Sequence, residues 1–92
     1  MITSFRHKGL ESFYQTGSTK GIQADHAARL RLILGVLDTA TGPEAIALQV
    51  FKSHQLKGDR RGYWSIWVNG NWRVVFRFAA GGVELVDYLD YH

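Results

Sequence analysis

From Tyr63 onward the chain alternates apolar and polar residues in short runs, a pattern that suits strands and no helix. Trp64, Ile66 and Val68 take every second position of the first run. Trp72, Val74, Phe76 and Phe78 do so in the second, with Arg73, Val75 and Arg77 between them. A period of two puts each set on its own face of a strand. Asn69-Gly70 joins the runs and predicts a two-residue type I′ hairpin, with positive φ at both residues. Ala79 to Gly82 predicts the next turn, and Val83 to about Leu89 a third strand. The parity of that last run is open, because Val83, Leu85 and Leu89 compete with Val86 and Tyr88 for the buried face.

The first half reads as helices. Lys8 to Thr16 carries Leu10, Phe13 and Tyr14 at helical spacing and stops at Gly17. Ala24 to Asp38 carries a stripe of Ala27, Leu30, Ile33, Leu34 and Leu37, with Arg29 and Arg31 off it. Pro43 suits the first turn of a short helix through about Val50. Ile2 to Phe5 is short and β-prone, an edge-strand candidate. Helices followed by a meander predict an α+β fold, with N-terminal helices packed on one face of a twisted, mainly antiparallel β-sheet. The other face would be partly open and lined by Arg73 and Arg77. With 92 residues, positions 1–92 are expected to form one domain.

Composition narrows the chemistry. The chain has no cysteine, which excludes disulfides and thiolate metal sites and fits a reducing cytoplasm. No apolar run approaches the ~20 residues of a membrane span, and the first residues do not resemble a signal peptide. The formal charge of +3 is modest, but Lys57, Arg60, Arg61, Arg73 and Arg77 all fall in the second half. They accompany two polar clusters: His54-Gln55-Leu56-Lys57-Gly58-Asp59-Arg60-Arg61, and Asp90-Tyr91-His92 directly after the last apolar run.

These are the parts that cleavage of RNA by its own 2′-OH requires: a base, an acid, and positive charge at the phosphorus. Imidazoles titrate near neutrality, so His54 and His92 are the acid and base candidates. Asp90 could orient an imidazole or pair with an arginine. Tyr91 could stack on a base or donate its hydroxyl to phosphate. Lys57, Arg60, Arg61 and Arg73 are the phosphate-binding candidates. For Arg73 the alternative is an ion pair with Asp87 or Asp90. Trp64 and Trp72 share the core face, and Trp67 alone has the parity of a surface contact. His7 and His26 have no motif around them. Without H-x₃-H spacing, cysteines or a phosphate-cradling glycine loop, no metal and no cofactor are expected.

The stretches His54 to Ser65, Asn71 to Phe76 and Asp90 to His92, with the opening Met1 to Leu10, resemble HigB-type toxins of the RelE/ParE superfamily over essentially the whole chain. The resemblance implies a RelE-like small domain and a ribosome-dependent endoribonuclease (an mRNA interferase) that cuts mRNA in the A site. It implies a HigA-type helix-turn-helix antitoxin as partner, with operator DNA bound only through the toxin–antitoxin complex. It places His54, Lys57, Arg73, Asp90, Tyr91 and His92 on catalytic or RNA-binding positions. Gln55 departs from the proline that often follows the first histidine, so the loop should be less constrained. The superfamily also includes gyrase poisons, so a gyrase-inhibiting toxin and a non-cleaving ribosome-binding protein are the competing expectations.

Overall fold

The computed structural model describes residues 1–90. Helix α1 spans Lys8–Thr16, the predicted bounds. The His7 side chain caps it by accepting from the Leu10 amide through Nδ1 at 2.9 Å, which satisfies one of the free first-turn donors. Gly17 closes it in the left-handed region. The second helical run starts as a 3₁₀ turn, Ala24–His26, and becomes helix α2 at Ala27–Thr39. Four of the five predicted stripe residues are buried: Leu30, Ile33, Leu34 and Leu37. The segment after Pro43 is not one helix. Leu48 is extended, with φ −69° and ψ 136°, and separates two 3₁₀ turns, Pro43–Ile46 and Gln49–Phe51.

Four strands follow in the order of the chain: β1 (His54–Gln55), β2 (Tyr63–Asn69), β3 (Trp72–Ala79) and β4 (Gly82–Asp90). All three pairings are antiparallel. Ile2 and Phe5 add parallel bridges along β4, to Val83 and Val86. The Thr3 amide donates to the Val83 carbonyl at 2.7 Å and the Arg6 amide to that of Val86 at 2.8 Å. The predicted N-terminal edge segment therefore covers the otherwise open side of β4. Gly82 permits that approach, because a Cβ there would lie 2.1 Å from the Met1 carbonyl oxygen.

One turn of the sheet differs from expectation, and the open parity of the last strand is resolved. Asn69 stays in β2 and pairs with Trp72, so the hairpin residues are Gly70 and Asn71. Positive φ falls on Gly70 alone, at 56°, as in a type II′ turn with glycine first. The shift is absorbed by an irregularity between Trp67 and Asn69. The last strand resolves its ambiguous parity by switching faces. Its register slips between the Val75↔Asp87 and Arg77↔Glu84 pairs, and Leu85 takes φ 56° there. Val83 is buried before this bulge, and Val86 and Tyr88 after it.

Both helices pack on one face of the sheet. Leu10, Phe13, Leu30, Ile33 and Leu37 meet Ile66, Val74, Phe76, Val83 and Val86 in one apolar cluster, with Trp64 and Trp72 against its edge. No helix among the described residues is long and apolar enough to cross a membrane.

Candidate active site

The opposite sheet face, away from the helices, is ordered by strand register. Directly paired residues share a face, which gives three rows across the sheet. The middle row is His54, Ser65, Val75 and Asp87, one residue from each strand. The row towards the β2–β3 hairpin is Trp67, Arg73 and Leu89. The row at the other end is Tyr63, Arg77 and Glu84. The centre of this outer face is more closed than the alternation predicted. Val75 is fully buried, Ser65 nearly so, and Leu56 is also buried. These residues lie outside the main cluster. Charge is confined to the rim around them.

His54 belongs to β1, an edge strand, rather than to the loop suggested by its neighbours. A two-residue strand is too short to show periodicity. Pairing with Ser65 and Trp64 fixes His54 on the outer face and Gln55 on the helix-side face, both exposed. The Leu56 amide donates to the Tyr63 carbonyl at 2.8 Å, so the ladder holds the chain one residue further than the strand itself. That bond limits the freedom expected from Gln55 in place of proline. Beyond it, Lys57 precedes a 3₁₀ turn at Gly58–Arg60. Lys57 and Arg61 are exposed and Arg60 is half-buried, all in the connection that closes at Tyr63.

Arg73 shares the outer face with His54, two strands away and one row nearer the hairpin, about 12 Å at ordinary strand spacing and rise. Its guanidinium donates to the carbonyls of Gly70 at 3.0 Å and Trp72 at 3.1 Å. Arg77 is committed otherwise, in a salt bridge to Glu84 at 3.1 Å with its guanidinium over the Tyr63 ring. Asp87 accepts from the Tyr88 amide at 2.9 Å. Asp90 pairs with Trp72, so the bulge at Leu85 sets its parity on the helix side, not with Arg73. Structure thus brings His54 and Arg73 onto one face, places Lys57, Arg60 and Arg61 at one end of it, and puts Asp90 at the tip of β4 on the other parity. Tyr91 and His92 lie outside the described residues.

Three groups without a role in the sequence reading shape this region. Arg29 of α2 reaches the edge where β1 ends and β2 continues. It donates to the Trp67 carbonyl through Nε at 3.2 Å and Nη2 at 3.0 Å, and to the Val50 carbonyl. It therefore ties the segment leading into His54 to the strand leading into the hairpin. His7 and His26 converge on Tyr88: the His26 ring nitrogen lies 2.6 Å from the Tyr88 hydroxyl, and the His7 ring meets the Tyr88 ring edge-on at 5.2 Å. Trp72 stacks on Tyr88 at 4.6 Å, tilted by 31°. This cluster lies just under the pair that carries Asp90. Burial pushes the Tyr88 hydroxyl pKa up, and the Asp25 carboxylate adds to it, against a lowering bond from the Gln23 amide. No sequence signal joined these residues, which are 62 positions apart for His26 and Tyr88. Among the described residues no group of three His, Cys, Asp or Glu side chains could hold a metal ion.

Two helices on this sheet are an arrangement shared with small toxins of known structure. The YoeB–YefM complex from Staphylococcus aureus matches with a TM-score of 0.64 at 19% identity, over 100% of this chain and 95% of that one. The YoeB/ParE toxin from Agrobacterium tumefaciens matches at 0.59 and 23%, over 99% and 96%. At that identity the likeness shows the fold alone. Residues 3–92 match the family model of the HigB-like toxins, described as RelE-like toxins of type II toxin–antitoxin systems. A curated relative, the Endoribonuclease HigB of Proteus vulgaris, is 46% identical over 92 residues, all of both chains. The chain belongs to the HigB-like toxin family, and its general partner is accordingly an antitoxin.

Proposed function

We propose that residues 1–92 act as one toxin domain, a ribosome-dependent endoribonuclease that cuts mRNA and stops translation in the cytoplasm. The observation that carries this reading is the outer sheet face, where His54 stands between two cationic ends. The endoribonuclease relative, alike along its whole length, supports it. The RNA 2′-oxygen attacks the adjacent phosphorus, the bond to the 5′-oxygen breaks, and a 2′,3′-cyclic phosphate is left. One proton leaves the 2′-OH for a base and one reaches the 5′-oxygen from an acid. His54 and His92 divide these roles, with Asp90 and Tyr91 beside the second. Arg73 and Lys57 neutralise the phosphoryl oxygens, and Arg60 and Arg61 hold the strand on the near side. Such general acid–base groups each contribute roughly 10²–10⁴-fold. A HigA-type antitoxin with a helix-turn-helix neutralises the toxin and carries the complex to operator DNA.

The test maps mRNA 5′ ends after brief induction, for the natural chain and for His92→Ala. The expected result is new ends within translated regions that disappear in the variant. Growth arrest without new ends would remove the nuclease reading and favour a target such as gyrase.

A further inference from the structure

Trp67 is the one tryptophan on the outer face, and it is half-buried there. Its indole N–H donates to the Gly70 carbonyl at 3.0 Å, which fixes the ring beside the hairpin. Arg73 donates to the same carbonyl, also at 3.0 Å, so one acceptor holds the ring and the guanidinium side by side. The Lys52 ammonium stands over the ring, 4.4 Å from its centre. Lys52 is exposed and has φ 45°, a left-handed bend that turns the chain towards His54 two residues later. The Arg29 guanidinium lies 5.4 Å from the ring and anchors the Trp67 backbone from the helix layer.

An aromatic ring held in place and flanked by an exposed cation and a hydrogen-bonded one is the equipment for a nucleotide of single-stranded RNA. The base stacks on the ring, and the cations take its phosphate. From these contacts we infer that Trp67, Lys52 and Arg73 form a nucleotide subsite next to the cleavage site, taking a base of the RNA strand without regard to its identity. The inference rests on the nuclease reading for the nature of the ligand. Trp67 lies two residues along β2 from Ser65, the partner of His54, so the subsite is one step along the strand from the imidazole. An RNA strand lying along β2 would place one nucleotide on Trp67, the next at His54, and its continuation towards Lys57. Stacking tolerates any base because every base has a π-face. Lys52 and the base compete for the ring, and the long exposed side chain is the one that moves.

The test measures binding of a labelled 2′-O-methyl tetranucleotide, whose blocked 2′-oxygen prevents cleavage, by fluorescence anisotropy. Trp67→Ala should weaken binding by about 10-fold or more, and Trp67→Phe, which keeps a stacking face, by much less. Lys52→Gln, an exposed change, should weaken binding and reduce the slope of log affinity against log salt by about 0.7. Thermal melting of each variant checks that it is folded. The inference fails if the unsubstituted chain does not bind the oligonucleotide, or if Trp67→Ala binds as well as the natural chain. It also fails if Trp67→Phe is as weak as Trp67→Ala, since the effect then lies in the indole N–H. Binding that depends on Trp67 in a protein that never cuts RNA would keep the subsite and remove the nuclease reading. Cutting with binding indifferent to Trp67 would do the reverse.

Discussion

The Tyr88 hydroxyl shows how much of this protein is settled by single atoms far apart in the chain. It meets the His26 ring nitrogen at 2.6 Å inside a buried aromatic cluster, and its ring supports Trp72 opposite Asp90. Tyr88→Phe removes one partner and leaves a buried imidazole nitrogen without it, a loss of about 1–3 kcal/mol of stability. The pH dependence follows from the raised tyrosine pKa. The tyrosine of the unfolded chain ionises near its ordinary value of 10.0, and that of the folded chain only at higher pH. The neutral hydroxyl therefore contributes stability that is complete below pH 10 and is lost as pH rises through the folded value. Denaturant midpoints measured from pH 8 to pH 11 should fall at the alkaline end in the natural chain, and fall less in Tyr88→Phe. Parallel curves would show that Tyr88 does not titrate on unfolding. None of this was legible in the sequence, where His26 and Tyr88 sit in unrelated elements and only folding makes them partners. Arg29 is similar: its helical position marks it as off the apolar stripe, and nothing local says that it binds the carbonyls of Val50 and Trp67.

Elements whose pattern is local were legible, and those whose geometry is tertiary were not. Helix α1 has the predicted bounds, and strands β2 and β3 follow the two alternating runs. The 3.6- and two-residue periods report burial on one face, which is a local property of each run. Strand β4 carried two interleaved patterns, because the bulge at Leu85 exchanges its faces midway. The hairpin was offset by one residue, since Gly70 takes the first turn position and Asn69 stays paired. Strand β1 exists only through its pairing with β2, so His54 looked like a loop residue. The Leu85 bulge makes its own prediction. A leucine in the left-handed region costs about 1–2 kcal/mol, and a β-branched side chain is a greater outlier there. Leu85→Ile should therefore lower the melting temperature more than Leu85→Gly, which relieves the backbone while losing a half-buried side chain. The opposite order would mean that packing of the leucine, not its φ, governs the bulge.

At the scale of the whole molecule, the sheet separates two tasks. Its helix-side face carries the apolar cluster, and its outer face carries a buried centre with a polar rim. The modest net charge of +3 hides the arrangement: Arg73 and Lys52 stand at the hairpin end, and Lys57, Arg60 and Arg61 at the other. Placing cations at both ends of one face attracts a polyanion along it more effectively than the same charges spread evenly. The resemblance seen in the sequence supplied the family, and strand register then showed which candidates share a surface. His54 and Arg73 do, and Asp90 has the opposite parity. The central claim is that RNA is cut on the outer face, and β1 offers a direct test because its two exposed residues point to opposite sides. The measurement is the single-turnover rate of mRNA cleavage on programmed ribosomes for His54→Ala and Gln55→Ala. The account predicts a loss of about 10²-fold or more for His54→Ala and a rate within a few-fold of normal for Gln55→Ala. Equal losses, or a larger one at Gln55, would contradict it.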